Sequence, residues 1–165
     1  MRLCCLLLLL ALVACSEKKE TESPYDSFIY SYTDRSANFS LKFNDGDTVY
    51  FRKRFPNPPA NFYALVKNKD KDSLIALTNS MNFSKYTEAS ETSVATGGIH
   101  VVFSKIKDGN KNVAHAYGGE NDNELLTLSL RINMFAKRFD FKPTDKTIDF
   151  GEQECVELPP VTTKK

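Results

Sequence analysis

Residues 39–55 read as two strands folded back on one another. Phe39, Leu41 and Phe43 alternate with polar neighbours, and Val49, Phe51 and Phe55 alternate with Tyr50, Arg52 and Arg54. A period of two puts each apolar set on one side of an extended chain, which suits a strand with one buried face and fits no helix. Between the runs lies Asn44-Asp45-Gly46-Asp47. With residues 44–46 as a three-residue loop and Gly46 in the left-handed conformation, Leu41 falls opposite Val49 and Phe39 opposite Phe51. That register keeps the apolar residues of both strands on one face. The acidic turn lacks the ligand spacing of a calcium loop, so turn chemistry accounts for it. With 12 Phe, 7 Tyr and no Trp, the chain is rich in strand formers, and a sheet is the expectation.

The pattern extends in both directions. Residues 28–32 make a first strand ended by Asp34-Arg35-Ser36, and residues 61–66 a further short one. Asp70-Lys71-Asp72-Ser73 offers capping carboxylates for a helix with Leu74, Leu77 and Met81 on one face. Residues 99–105 alternate, Asp108-Gly109 turns, and residues 112–117 return. A second helix, over 122 to about 139, carries Leu125, Leu128, Ile132, Phe135 and Phe139 at helical spacing, with Asn121 and Glu124 at capping-box distance. Residues 147–150 are a candidate closing strand. The fold class is therefore α+β, an antiparallel sheet with two amphipathic helices packed on one face. Asp45-Gly46 aligns with Asp108-Gly109, and Leu74-Ile75-Ala76-Leu77 with Leu125-Leu126-Thr127-Leu128, so a duplicated strand-strand-helix unit stands open beside independent units.

The chain carries few signs of chemistry. It has no Gly-x-Ser-x-Gly, no His-Glu-x-x-His, no Cys-x-x-Cys and no phosphate loop, and Thr96-Gly97-Gly98 precedes a strand and opens no helix. Its 2 histidines, His100 and His115, fall on the two strands of the second hairpin. A three-residue loop over 107–109 pairs Val101 with His115 and sends the rings to opposite faces, which removes a shared metal site, whereas a register shifted by one residue would bring the rings to one face. No catalytic residue, cofactor or metal site is expected. The proline-rich turn at 55–59 reads as a plain connection, and the Ser-, Thr- and Glu-rich stretch 83–98 as a long loop.

The N-terminus supplies an address. Arg2 precedes an apolar run over residues 3–13 that is too short to span a bilayer as a permanent helix. Leu12-Val13-Ala14-Cys15 then resembles the processing site of a bacterial lipoprotein, which implies cleavage between Ala14 and Cys15 and a diacylglyceryl group on the Cys15 thiol. Removal of residues 1–14 from the 165 leaves 151, one domain of ordinary size. The expected organisation is a signal peptide over 1–14, a lipidated Cys15 with a polar tether to 27, one α+β domain over 28–150 and a tail over 151–165. Of the 4 cysteines only Cys155 remains a free thiol, and its glutamates disfavour a thiolate. Ser16 after Cys15 lacks the Asp that retains many lipoproteins at the inner membrane, so the resemblance implies an outer-membrane destination. Arg2 is the only charge in the leader, so the 22 basic and 21 acidic residues leave a balanced mature chain, and nucleic acid is not an expected partner.

Residues 28–150, with hairpin turns like Asp45-Gly46 and an amphipathic helix like residues 125–139, also resemble an uncharacterised family of small bacterial lipoproteins. The resemblance implies an α+β domain and no activity. The function expected on these grounds is that of a lipid-anchored envelope module with a protein partner, touching it through Tyr50, Arg52 and Arg54, and with Tyr30 and Tyr32 as further outward aromatics. The alternative is a lipid-tethered hydrolase or metal-dependent enzyme with an unrecognised site.

Overall fold

A computed structural model describes residues 23–44, 46–86, 98–117 and 123–151. The lipidation site, the capping pair's Asn121 and Cys155 lie outside the described residues. The strands are β1 (Ser27–Thr33), β2 (Asn38–Asn44), β3 (Thr48–Phe55), β4 (Ala60–Leu65), β5 (His100–Lys107), β6 (Asn110–Tyr117) and β7 (Lys142–Thr144). Helix α1 (Asn68–Asn79) and a single 3-10 turn (Phe83–Lys85) precede β5, and helix α2 (Asn123–Ala136) lies between β6 and β7. All strands join one antiparallel sheet in the order β6-β5-β1-β2-β3-β4-β7. The α+β class read from the sequence is the class observed.

Both helices belong to a single apolar cluster with one face of the sheet. Phe28 and Tyr30 of β1, Leu41 and Phe43 of β2, Val49 of β3, and Val101 and Phe103 of β5 are buried against Leu74 of α1 and Leu125, Leu128 and Ile132 of α2. Each such side chain stabilises the fold by about 1.5–3 kcal/mol when fully buried. Helix α2 lies over β5 and β6. There Ala114 and Ala116 of β6 keep the sheet surface low enough for its leucines. Helix α1 starts at Asn68 with no side-chain cap, so Asp70 sits within its first turn and not ahead of it, where it accepts from Arg138 Nη2 at 2.8 Å. Helix α2 stops at Ala136, and Phe139 packs from the turn that follows.

The sequence placed Tyr30 and Tyr32 outward, and the structure reverses this. β1 is central, and Phe28, Tyr30 and Tyr32 alternate onto the helix side, where Tyr30 is fully buried. Its hydroxyl pairs with Ser129 Oγ at 2.7 Å and accepts from Asn133 Nδ2 at 2.9 Å, one turn apart on α2. Burial pushes its pKa far up, against the opposing effect of these two bonds. Tyr32 stacks on Phe39 and donates to Asp34 Oδ2 at 2.7 Å. Asp34 makes the turn as expected, accepting from the backbone N–H groups of Ser36 and Ala37. Burial alone would raise its pKa, but the bonds from Tyr32, Ser36 and Ala37 outweigh it and hold the carboxyl below its usual value.

Both hairpins differ from the expected register. In the first, Phe43 pairs with Val49 and Leu41 with Phe51. The two-residue offset preserves the faces, so the apolar pattern is kept. Gly46 is not left-handed. A bulge follows, because Asn38 pairs with Phe55 while Phe39 pairs with Lys53. It reverses the alternation after Arg54, which leaves Phe55 45% exposed. In the second hairpin the loop has two residues, Asp108 (φ 51) and Gly109 (φ 75), as a type I′ turn requires, and Lys107 pairs with Asn110. That offset is one residue, and it turns every side chain of β6 to the other face. With four strands before α1 and unlike hairpin loops, the architecture is not a repeat of one strand-strand-helix unit.

Residues 147–150 form no strand; the closing strand is Lys142–Thr144. Beyond it the chain crosses the face of the sheet opposite the helices, where Asn61 Nδ2 donates to the Lys146 carbonyl at 3.1 Å and Lys42 Nζ to the Asp149 carbonyl at 2.7 Å. Phe150 is buried, and Gly151 lies against Ile29 and Lys111. A sheet with helices on one side only thus has part of its other side covered by its own chain. Tyr25, expected in the tether, is 2% exposed and belongs to the core.

Candidate functional site

The face opposite the helices carries Tyr50, Arg52, Arg54, His100 and His115, whereas Tyr30 and Tyr32 lie on the helix side. Strand pairing lines up a transverse row, Asn61, Arg52, Ser40, Ser31, Val102 and His115, from β4 to β6. Period-two alternation puts the whole row on one side. Ser31 and Ser40 form its floor, nearly inaccessible and joined by a short hydroxyl-hydroxyl hydrogen bond. Larger residues stand at either end. Arg52 and His115 are four strand spacings apart, about 19 Å.

At the β3 end stand Tyr50, Arg52 and Arg54, together with Tyr63, which the sequence reading did not single out. Tyr50 and Tyr63 are direct cross-strand partners and both are half-buried, while Arg52 is exposed. The alternation of β4 could have shown Tyr63, because Asn61 and Tyr63 share the face of Arg52 and Tyr50. Arg54 shares this face, as the alternation with Tyr50 and Arg52 implies, and its Nη1 donates to Ser40 Oγ at 2.9 Å and to Asn38 Oδ1 at 3.3 Å. Its guanidinium clips β3 to β2, whereas the Arg52 side chain extends into solvent.

At the β6 end the histidines meet. Their rings were expected on opposite faces; the two-residue turn puts them on one. His115 pairs with Val102 and His100 with Tyr117, which makes the histidines diagonal neighbours. His100 Nε2 lies 3.4 Å from His115 Nδ1. Tyr117 lies flat against His100, with ring centroids 4.5 Å apart and planes at 2°. His100 is 6% exposed, and its pKa is pushed down to about 4, first by burial and then by repulsion from His115. The imidazole therefore stays neutral near pH 7.

On the helix side, a groove of about 360 Å³ runs between the end of α1 and the start of α2, lined by Ser80, Met81, Glu124, Leu128 and Arg131 among others. Glu124 accepts from the Tyr86 hydroxyl at 2.7 Å, and Ser80 Oγ donates to the Leu77 carbonyl at 2.7 Å. Both polar groups thus take part in local hydrogen bonds. No described helix is long and apolar enough to cross a membrane.

Comparison of the chain with protein-family models, with curated proteins and with solved structures found no match.

Proposed function

We propose that this chain is a lipid-anchored bacterial envelope protein, held through Cys15 at the outer membrane, that acts by binding another protein with the back of its sheet. The observation that carries the reading is the side-by-side placement of half-buried Tyr50 and Tyr63 with exposed Arg52 on the sheet face opposite the helices. Tyrosine and arginine are the types enriched at protein contacts, because they combine large rigid area with a polar tip. The guanidinium favours a carboxylate-bearing surface opposite it. The leader and Leu12-Val13-Ala14-Cys15 support the anchor, and a diacylglyceryl group supplies the two chains that stable attachment requires.

Photo-crosslinking in cells from position 63 tests the surface. A discrete adduct should form in the wild type and disappear in a Tyr50→Ala/Arg52→Ala variant that keeps its circular dichroism. An adduct indifferent to that double change would refute the contact surface. The anchor has its own test: Cys15→Ala should release the folded chain from membranes after a salt wash, and labelled palmitate should enter only the wild type.

A further inference from the structure

The two histidines at the far end of the row have the spacing of a metal-binding pair. We propose that His100 Nε2 and His115 Nδ1 are two ligands of a tetrahedral zinc ion whose remaining positions are held by water. Their separation is 3.4 Å. Two nitrogens each 2.0–2.1 Å from a tetrahedral zinc stand about 3.3–3.4 Å apart, whereas neighbouring ligands of a square or octahedral ion stand about 2.9 Å apart. Imidazole is a favoured zinc ligand in its neutral form.

The scaffold supports the pair. Both rings come from adjacent strands of one ladder, so the backbone sets their separation. Tyr117, stacked on His100, fixes the plane of that ring. In the metal-free state the short gap holds a hydrogen bond between the rings, one nitrogen donating and the other accepting. Zinc requires a lone pair from each. The donating ring therefore shifts to its other tautomer, moving its proton to the remote nitrogen, and two neutral rings bind the ion with no net proton release. Among the described residues no cluster of three or more His, Cys, Asp or Glu side chains converges. The site thus has two protein ligands from the described chain and open coordination positions.

The test is a zinc chloride titration of the full chain in detergent, with its cysteines alkylated so that thiols cannot compete, followed by calorimetry and by melting temperature. The wild type should saturate at one zinc per chain and melt higher with zinc. His115→Ala and His100→Gln should each weaken binding by about tenfold or more and abolish the zinc-dependent rise. His115 is only half-buried, so its variant keeps the test decisive if the His100 variant fails to fold. Folded wild type with no saturable binding, or variants that bind zinc as tightly as wild type, would overturn the proposal.

Discussion

The β2–β3 and β5–β6 hairpins turn on the same two letters, Asp45-Gly46 and Asp108-Gly109, yet they close by different loops. The first leaves three residues between the strand ends Asn44 and Thr48 and tolerates a non-left-handed Gly46; the second leaves two, with Asp108 and Gly109 both at positive φ. A sheet reads such a difference as parity. One residue more or less in the loop decides which face a side chain reaches, and in the second hairpin it sends His100 and His115 to the same side. The first hairpin reaches the correct faces by a route off by two residues, and then reverses its own alternation at Phe55 through the bulge.

The largest expected effect sharpens this contrast at the core. Phe103 of β5 is fully buried and stacks on Tyr30 with centroids 5.3 Å apart, while Phe51 of β3 is partly buried at the side of the cluster. Phe103→Ala should lower the unfolding free energy by about 3–5 kcal/mol and Phe51→Ala by about 2 kcal/mol, read from urea midpoints at constant slope. Equal losses would mean that the second hairpin is not the better-packed of the two.

Next in size is a pH effect confined to the second hairpin. The His100 pKa falls from 6.5 in the ordinary range to about 4 in the fold. The unfolded chain therefore binds the proton more tightly, so stability is fully present above about pH 6.5 and is lost as pH falls toward 4. The groups facing the ring are His115, Tyr117 and Thr33, and His115 adds charge repulsion to the effect of burial. The whole shift corresponds to about 3 kcal/mol, and partial hydration at the strand end reduces it to about 2 kcal/mol. In metal-free protein, His100→Gln should remove that part of the decline between pH 7 and pH 4.5 while the carboxylate contribution persists. Parallel declines in both proteins would show that the ring is not buried as a neutral group.

How far the sequence could be read follows from the same parity argument. Alternation at Phe39, Leu41, Phe43, Val49 and Phe51 was legible because a period of two survives any even error in register. The helix faces at Leu74 and at Leu125, Leu128 and Ile132 were legible for the matching reason, a period near 3.6. The histidine pair was not, because loop length had to be known to one residue. Tyr30 and Tyr32 were misplaced because β1 is central and the polar partners that let a tyrosine hydroxyl be buried, Ser129 and Asn133, lie 99 and 103 residues away. Residues 147–150 offered apolar spacing without a ladder to join, and cross the back of the sheet instead. Of the contact surface, Tyr50 and Arg52 could be read from alternation alone. Arg54 could be read the same way; what the pattern did not foretell is the bulge beside it, which turns Phe55 to that face as well.

The smallest effect separates the two loops most directly. Gly109 adopts φ +75, where any residue with a Cβ is strained, although nothing lies within 4 Å of the added atom. Gly109→Ala should therefore cost about 1–2 kcal/mol through the backbone alone. Gly46 has an equally open position, with nothing within 4 Å and no left-handed φ. Gly46→Ala then acts mainly on the unfolded chain, restricting conformations that the wild type must give up on folding, and should raise stability by about 0.5 kcal/mol. Opposite signs at two glycines that both follow an aspartate would come from loop geometry, since residue identity and crowding are matched. If Gly46→Ala instead destabilises as much as Gly109→Ala in urea melts, the three-residue loop holds a left-handed glycine after all, and the contrast between the hairpins would rest on loop length alone.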